Sequence, residues 1–213
     1  MSLLSIRDLH FLDLNNGAFE NKLPEFYGLK NCVEHMPPWH FYESVFDHSI
    51  SVVGSLLEIF NRENKQLRTY LGKNPFDHYT KKDLLFLMTA FHDIAKPDTV
   101  ITDENGYTSC PEHERKGAIK AQSILDRFDL VREESECITA MIGLHGIFCY
   151  TQHRENPERD YNNLRRLHPS IYLDMLLFEL ADTKALHVAD EGRILQQEMV
   201  DFYERKIGEC LKS

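Results

Sequence analysis

Histidine and aspartate side chains bind divalent metal ions in proteins, and four of the eleven histidines in this sequence, with two of its aspartates, have positions that suit such a site. They are His48, His92, Asp93, His113, His145 and Asp182. Each lies on, or at the end of, the apolar stripe of a predicted helix, where a carboxylate needs a partner to offset the cost of leaving water. Mixed imidazole and carboxylate ligands are typical of divalent transition-metal sites, and the absence of a thiolate cluster argues against a closed structural zinc site. The sequence therefore predicts a site for one or two divalent ions of Mn, Fe, Ni, Co, Zn or Mg.

Apolar residues spaced three or four positions apart predict the helices that position these side chains. One such pattern covers residues 39–61 and includes His48. A capping-box pair, Thr80 and Asp83, begins a second helix that ends at Lys96-Pro97. The His-Asp pair is therefore expected on the last turn of this second helix.

The rest of the chain continues the same helical pattern. Further helices are predicted from Pro111 to about Phe128, from about Arg132 to Ile147, from Pro169 onward, and from about Gly192 to Leu211 with Ile194 and Leu195 facing inward. Asn105-Gly106 predicts a short hairpin or ordered loop after the His-Asp pair, and the polar residues 151–168 predict a surface loop with one short helical turn. Five or six substantial helices indicate an all-α, bundle-like fold.

Composition and charge limit the classes of function. The chain has 213 residues, 42% of them apolar, which suits a single globular domain. We expect residues 1–38 to be an N-terminal extension that packs on a bundle formed by residues 39–213. The formal charge of −10 disfavours binding to a long duplex nucleic acid but is compatible with a small phosphate ester as substrate.

The five cysteines are widely spaced and include no C-x-x-C pair, which favours reduced thiols and a cytoplasmic location. The N-terminal residues lack the apolar core of a signal peptide, and the most apolar segment, residues 171–181, is too short to span a membrane. No membrane partner is therefore expected. The oligomeric state stays open, and a homo-oligomer is compatible with the sequence.

Five short motifs follow one another in an order that resembles a known superfamily. They are His48, FHDIAKP at 91–97, EHERKGA at 112–118, IGLHG at 142–146 and ELAD at 179–182. This order resembles the HD-domain metal-dependent phosphohydrolases, and the pattern is most similar to the HD domain attached to some bacterial tRNA nucleotidyltransferases. The nucleotide-transferring head of those enzymes has no counterpart in this chain, so the addition of nucleotides to tRNA is not implied. The sequence has Ala95 where glycine is frequent in the family, a change that removes no ligand.

The resemblance implies a role for each residue of the motifs. His48, His92, Asp93 and Asp182 would bind a first metal ion, and His113 and His145 a second, with Asp93 bridging the two. The implied activity is hydrolysis of a phosphomonoester or phosphodiester, on a nucleotide or nucleotide-like substrate, by a metal-bound hydroxide. Lys96 would bind the substrate phosphate or stabilise charge that develops on it. Asp93 and Lys96 are the implied catalytic residues.

Other interpretations of the same residues stay open at this stage. Some proteins of the same fold use these six ligands in a di-iron oxygenase that cleaves a C–C or C–P bond. A third alternative is a non-catalytic domain that senses a nucleotide, although no ligand is missing. A single histidine on an apolar helix face is more often a hydrogen-bonded core residue than a ligand, and a lysine at a helix end is usually solvated.

Overall fold

The computed structural model describes residues 3–212, and α-helices dominate it. In chain order the helices are α1 Phe11–Asn16, α2 Pro24–Gly28, α3 Val45–Phe60, α4 Lys65–Leu71, α5 Lys81–Phe91, α6 His113–Leu125, α7 Arg132–Thr151, α8 Pro157–Leu167, α9 Tyr172–Ala185 and α10 Arg193–Lys212. Two small antiparallel hairpins complete the fold, β1 Val33–Met36 with β2 His40–Ser44 and β3 Ile101–Thr102 with β4 Thr108–Ser109. The prediction of an all-α bundle is confirmed, as is the short hairpin after the His-Asp pair.

Helix α9 lies at the centre of the bundle and packs against α3, α5, α7 and α10. Eleven of its fourteen residues are buried, so it presents apolar side chains around almost its whole circumference. A helix that is apolar on all sides is stable only in the interior of a protein. The C-terminal end of α9 therefore delivers Asp182 to a place that α3, α5 and α7 also reach.

Helix α3 begins later than the sequence pattern predicted. Residues 40–44 form strand β2, and the helix starts at Val45 after Ser44, whose Oγ accepts a hydrogen bond from the backbone N–H of Asp47 at 3.0 Å. The backbone of this segment pairs with β1 instead, with Met36 opposite His40. Apolar spacing alone does not detect such a hairpin, because the partner strand supplies the competing hydrogen bonds.

Helix α5 starts with the predicted capping box, in which the Thr80 hydroxyl and the Asp83 carboxylate each accept from the other residue's backbone N–H. It ends at Phe91, however, and His92 and Asp93 follow it in a turn. The prediction that both lie on the last helical turn is therefore wrong by one to two residues. This turn changes the direction of the chain and points both side chains into the bundle.

Two further predictions are corrected. The segment expected to be a loop contains α8, which Asn156 caps by accepting from the backbone N–H of Arg159, and which buries Tyr161 and Leu164 three residues apart. Only two side chains form its buried face, so the polar composition of the segment did not indicate a helix. At the start of α10, Ile194 is 76% exposed, because the buried stripe begins one turn later at Met199.

The N-terminal residues share the core of the bundle. Leu14, Leu23 and Phe26 are fully buried, and the ring of Phe26 lies 5.3 Å from that of Phe46 in α3. The backbone N–H of Leu4 donates to the carbonyl of Arg127 at 2.8 Å. Within residues 3–212, none of the helices has the length and apolar character needed to cross a bilayer.

The packing of Phe26 predicts that this N-terminal segment contributes to the stability of the whole fold. Phe26→Ala should lower the free energy of unfolding by about 3–5 kcal/mol, the cost of removing a fully buried ring. Leu12→Ala is the matched control, because Leu12 is 71% exposed in the same segment and its loss should change stability by less than about 0.5 kcal/mol. Urea unfolding measures both. Equal small effects would show that the segment is dispensable.

Candidate metal centre

The structure brings all six predicted ligands together at one end of the bundle. The first group joins α3, the turn after α5, and α9. His48 Nε2 lies 3.0 Å from Asp182 Oδ1 and 4.0 Å from Asp93 Oδ2, and His92 Nε2 lies 3.0 Å from Asp93 Oδ2 and 3.9 Å from Asp182 Oδ1. Four side chains from three parts of the chain thus face a common point.

The second group lies on the other side of Asp93. The Nε2 atoms of His113 and His145 are 3.2 Å apart, and they lie 3.3 and 3.7 Å from Asp93 Oδ1. Asp93 therefore directs one carboxylate oxygen to each group. This is the arrangement that a carboxylate bridging two metal ions requires.

Backbone carbonyls fix the orientation of three of the histidine rings. The Nδ1 atoms of His92, His113 and His145 lie 2.8, 2.7 and 2.6 Å from carbonyl oxygens three residues earlier in the chain. A carbonyl can only accept, so each Nδ1 carries the proton and donates it. In its neutral form each ring then presents the lone pair of Nε2 to the centre, as in metal-binding histidines generally.

These lone pairs test whether the site fits a cation. The buried Nε2 of His92 makes no hydrogen bond, although a carboxylate oxygen of Asp93 lies 3.0 Å away. The Nε2 atoms of His113 and His145 lie 3.2 Å apart, and with both protons on Nδ1 neither has a proton to donate to the other. Acceptor atoms this close repel each other unless a positive charge lies between them. Three such atoms, from His48, His92 and Asp93, lie within 4.8 Å of one another, and so do three from Asp93, His113 and His145. Each group is therefore able to hold a metal ion.

The charges of the two carboxylates suit this role. Burial acts to raise the pKa of both, but neighbouring groups outweigh it. The side chains of His92 and Lys96 hold the pKa of Asp93 well below its usual range, and the contact with His48 helps to lower the pKa of Asp182 to about 2. Both carboxylates are therefore ionised at neutral pH.

The two histidines of the second group differ in their protonation. Burial lowers the pKa of His145 to about 3, so its ring is neutral at neutral pH. Burial acts in the same direction on His113, but the hydrogen bond with Asp93 outweighs it and raises the pKa of that ring. A metal ion must therefore compete with a proton at His113 more than at His145.

Lys96 is not a solvated residue at a helix end. It is buried, and its Nζ lies 2.8 Å from Asp93 Oδ2 and 2.8 Å from Glu34 Oε2. Burial acts to lower the pKa of Lys96, but these two carboxylates raise it well above its usual range. The ammonium group therefore stays charged beside the ligands.

Sequence reasoning missed several carboxylates at the site, among them Glu34 and Glu114. Glu34 belongs to β1, in a segment with no recognised motif, and its burial beside the exposed Val33 became visible only with the hairpin. Glu114 follows the ligand His113 directly, and its side chain covers Gly146, where a Cβ atom would lie 2.0 Å from Glu114 Oε1. The glycine of IGLHG was the available signal for Glu114, because it marks a close approach next to a ligand.

The six ligands form the floor of a cavity of about 630 Å³ that opens to solvent. Lys96, Glu34 and Glu114 also line the cavity. The apolar part of its lining includes Trp39, Tyr150 and Leu186. The volume is within the range of sites for small organic ligands.

Comparison with known proteins adds no assignment to this geometry. None of the protein-family models searched matches the sequence. No curated protein matches it either. The description of the site therefore depends on the residues and distances of this chain alone.

Because Asp93 lies between the two groups, we expect its side chain to affect the binding of both metal ions. Asp93→Asn should weaken the binding of both ions by more than about 100-fold, the upper end of what loss of an outer-shell partner costs. His145→Asn should weaken one binding step and leave the other unchanged. Calorimetric titration of the metal-free variants with Mn²⁺ separates the two steps. If Asp93→Asn affected only one step, the bridging role would be contradicted.

Proposed function

We propose that this chain is a metal-dependent phosphohydrolase of the HD superfamily that acts on a phosphomonoester or phosphodiester of a nucleotide or nucleotide-like compound. One observation carries the proposal. Six ligand residues, in two groups joined by Asp93, line an open cavity beside a buried, charged lysine. Phosphate esters are the substrates that best match two neighbouring divalent ions with a cationic side chain next to them.

The two groups of side chains would hold the metal ions separately. His48, His92, Asp93 and Asp182 would bind the first, and His113 and His145 would bind the second with the other oxygen of Asp93. Bound divalent ions neutralise the charge of a phosphate and lower the pKa of water, so that attack on phosphorus needs no protein nucleophile. Mn, Fe, Ni, Co and Zn suit the imidazole-rich set, and Mg suits its carboxylates.

Lys96 would stabilise the charge that builds up on the phosphate. Two of its three N–H groups are directed to Asp93 and Glu34, which fixes the ammonium group in place. The third remains available to a phosphate oxygen. A donor held in this way needs little reorganisation when charge develops in the transition state.

The cavity walls would bind the rest of the substrate. The ring of Trp39 lies 6.0 Å from that of His153, and Tyr150 and Leu186 add apolar surface to the lining of the cavity. A planar organic group such as a nucleobase can pack on these side chains while its phosphate reaches the floor. Glu114 offers a carboxylate that accepts a hydrogen bond from a hydroxyl group in between.

The proposal predicts phosphate release that needs a metal ion but no oxygen. Purified protein should hydrolyse members of a panel of nucleotides and aryl phosphates anaerobically, lose this activity to a chelator and regain it with Mn²⁺ or another divalent ion. Lys96→Ala should keep its metal and lower kcat by about 10²–10³-fold, the cost of removing one preorganised donor. Lys120→Ala is the matched control, because Lys120 pairs with Asp98 on the surface.

Two results would contradict the proposal. Oxygen-dependent turnover without hydrolysis of phosphate esters would assign the site to a di-iron oxygenase. Quenching of the single tryptophan, Trp39, by nucleotides that are never hydrolysed would assign the chain to nucleotide sensing. Because Trp39 lines the cavity, its fluorescence reports binding independently of turnover.

A further inference from the structure

Three buried polar atoms converge behind His48, on the side of its ring that faces away from the other ligands. They are Nδ1 of His40, Oε2 of Glu43 and Nδ1 of His48, and none of them has a hydrogen-bond partner. Glu43 Oε2 lies 3.8 Å from His40 Nδ1 and 3.7 Å from His48 Nδ1. Buried polar atoms without partners are rare, so a cluster of three calls for a physical explanation.

His48 differs from the other histidine ligands in how its ring is anchored. The rings of His92, His113 and His145 each donate from Nδ1 to the carbonyl three residues earlier. For His48 that carbonyl belongs to Val45, and it accepts a hydrogen bond from the hydroxyl of Ser49 at 2.8 Å instead.

Glu43 occupies the position that this backbone anchor would have. Its carboxylate lies 3.7 Å from Nδ1 of His48, the separation of an ion pair rather than of a direct hydrogen bond. On the other side of the ring, Nε2 lies 3.0 Å from Asp182 Oδ1, which favours a proton on Nε2 unless a cation binds there. With a cation at Nε2, the electrostatic attraction of Glu43 favours a proton on Nδ1.

A separate metal ion among these three residues is the other arrangement to consider. It would need the lone pair of His48 Nδ1, while the first metal ion needs the lone pair of His48 Nε2. A neutral imidazole keeps one proton and so offers only one of these lone pairs. When Nε2 binds a metal ion beside Asp182, Nδ1 keeps the proton, and Glu43 is the carboxylate that faces it.

We propose that Glu43 is a positioning residue of the metal centre: its carboxylate attracts the Nδ1–H of His48 and so directs the Nε2 lone pair at the first metal ion. The inference rests on the proposed role of His48 as a metal ligand. His40, also in β2, lies 3.8 Å from the same carboxylate oxygen. Carboxylates in this outer position orient a histidine ligand and increase its basicity.

The experiment is a calorimetric Mn²⁺ titration of the full chain, with the step lost in His145→Asn used to identify the second ion. Glu43→Gln should weaken the first step by about 10–100-fold, the usual effect of losing an outer-shell carboxylate, and leave the second step unchanged. Glu43→Asp keeps the charge and should recover part of the affinity. Glu112→Gln is the matched control, because Glu112 precedes the ligand His113 but lies exposed and pairs with Arg115.

A second readout needs no metal ion. In the metal-free protein, where Asp182 faces Nε2 at 3.0 Å, ¹⁵N chemical shifts of the His48 ring should still show a proton on Nδ1, and Glu43→Gln should lower the occupancy of that proton. If wild-type protein bound no ion, the proposed function would fail, while this readout would still test Glu43.

Three results would overturn the inference. The first is an unchanged first step and an unchanged tautomer in Glu43→Gln. The second is an equal loss in both binding steps with no recovery in Glu43→Asp, which would indicate a general role in folding. The third is the loss of a third metal equivalent, which would show that His40, Glu43 and His48 bind an ion of their own.

Discussion

Convergent lone pairs are the constraint on which the rest of this structure depends. Asp93 is buried yet ionised. Its oxygens face the Nε2 atoms of histidine rings that donate their Nδ1 protons to backbone carbonyls. Such an arrangement is unfavourable unless positive charge lies among the acceptor atoms. Lys96 supplies part of that charge from one side, and the two groups of side chains are able to hold the remainder as a metal ion.

The fold offsets the cost of this arrangement with apolar packing around it. Helix α9 is buried on nearly all sides and carries Asp182 at its end, while α3 and α7 bring His48 and His145 to the same depth. Three of the histidine rings are anchored to the backbone of their own segment. The geometry of the site therefore depends on local chain direction as much as on long-range contacts, which favours a preorganised centre over one that forms around the metal.

The sequence was sufficient to predict this cluster of histidines and aspartates and insufficient to predict its surroundings. His48, His145 and Asp182 stood out because polar groups on apolar helix faces need partners, and the structure places them together. Glu34 and Glu43 could not be found in the same way, because a hairpin brings them to the site and the sequence pattern of residues 39–61 indicated a helix. The capping box at Thr80 was predictable from local chemistry, whereas the exposure of Ile194 depends on where the bundle ends.

The most direct test of the two-ion centre is anomalous scattering from crystals of untreated protein, measured at the Mn, Fe, Ni, Co and Zn absorption edges. The account predicts peaks on both sides of Asp93, one among His48, His92 and Asp182 and the other beside His113 and His145. The second peak is expected to be weaker, because fewer side chains hold that ion. No peak in either position, in protein that also takes up no added Mn²⁺, would contradict the account.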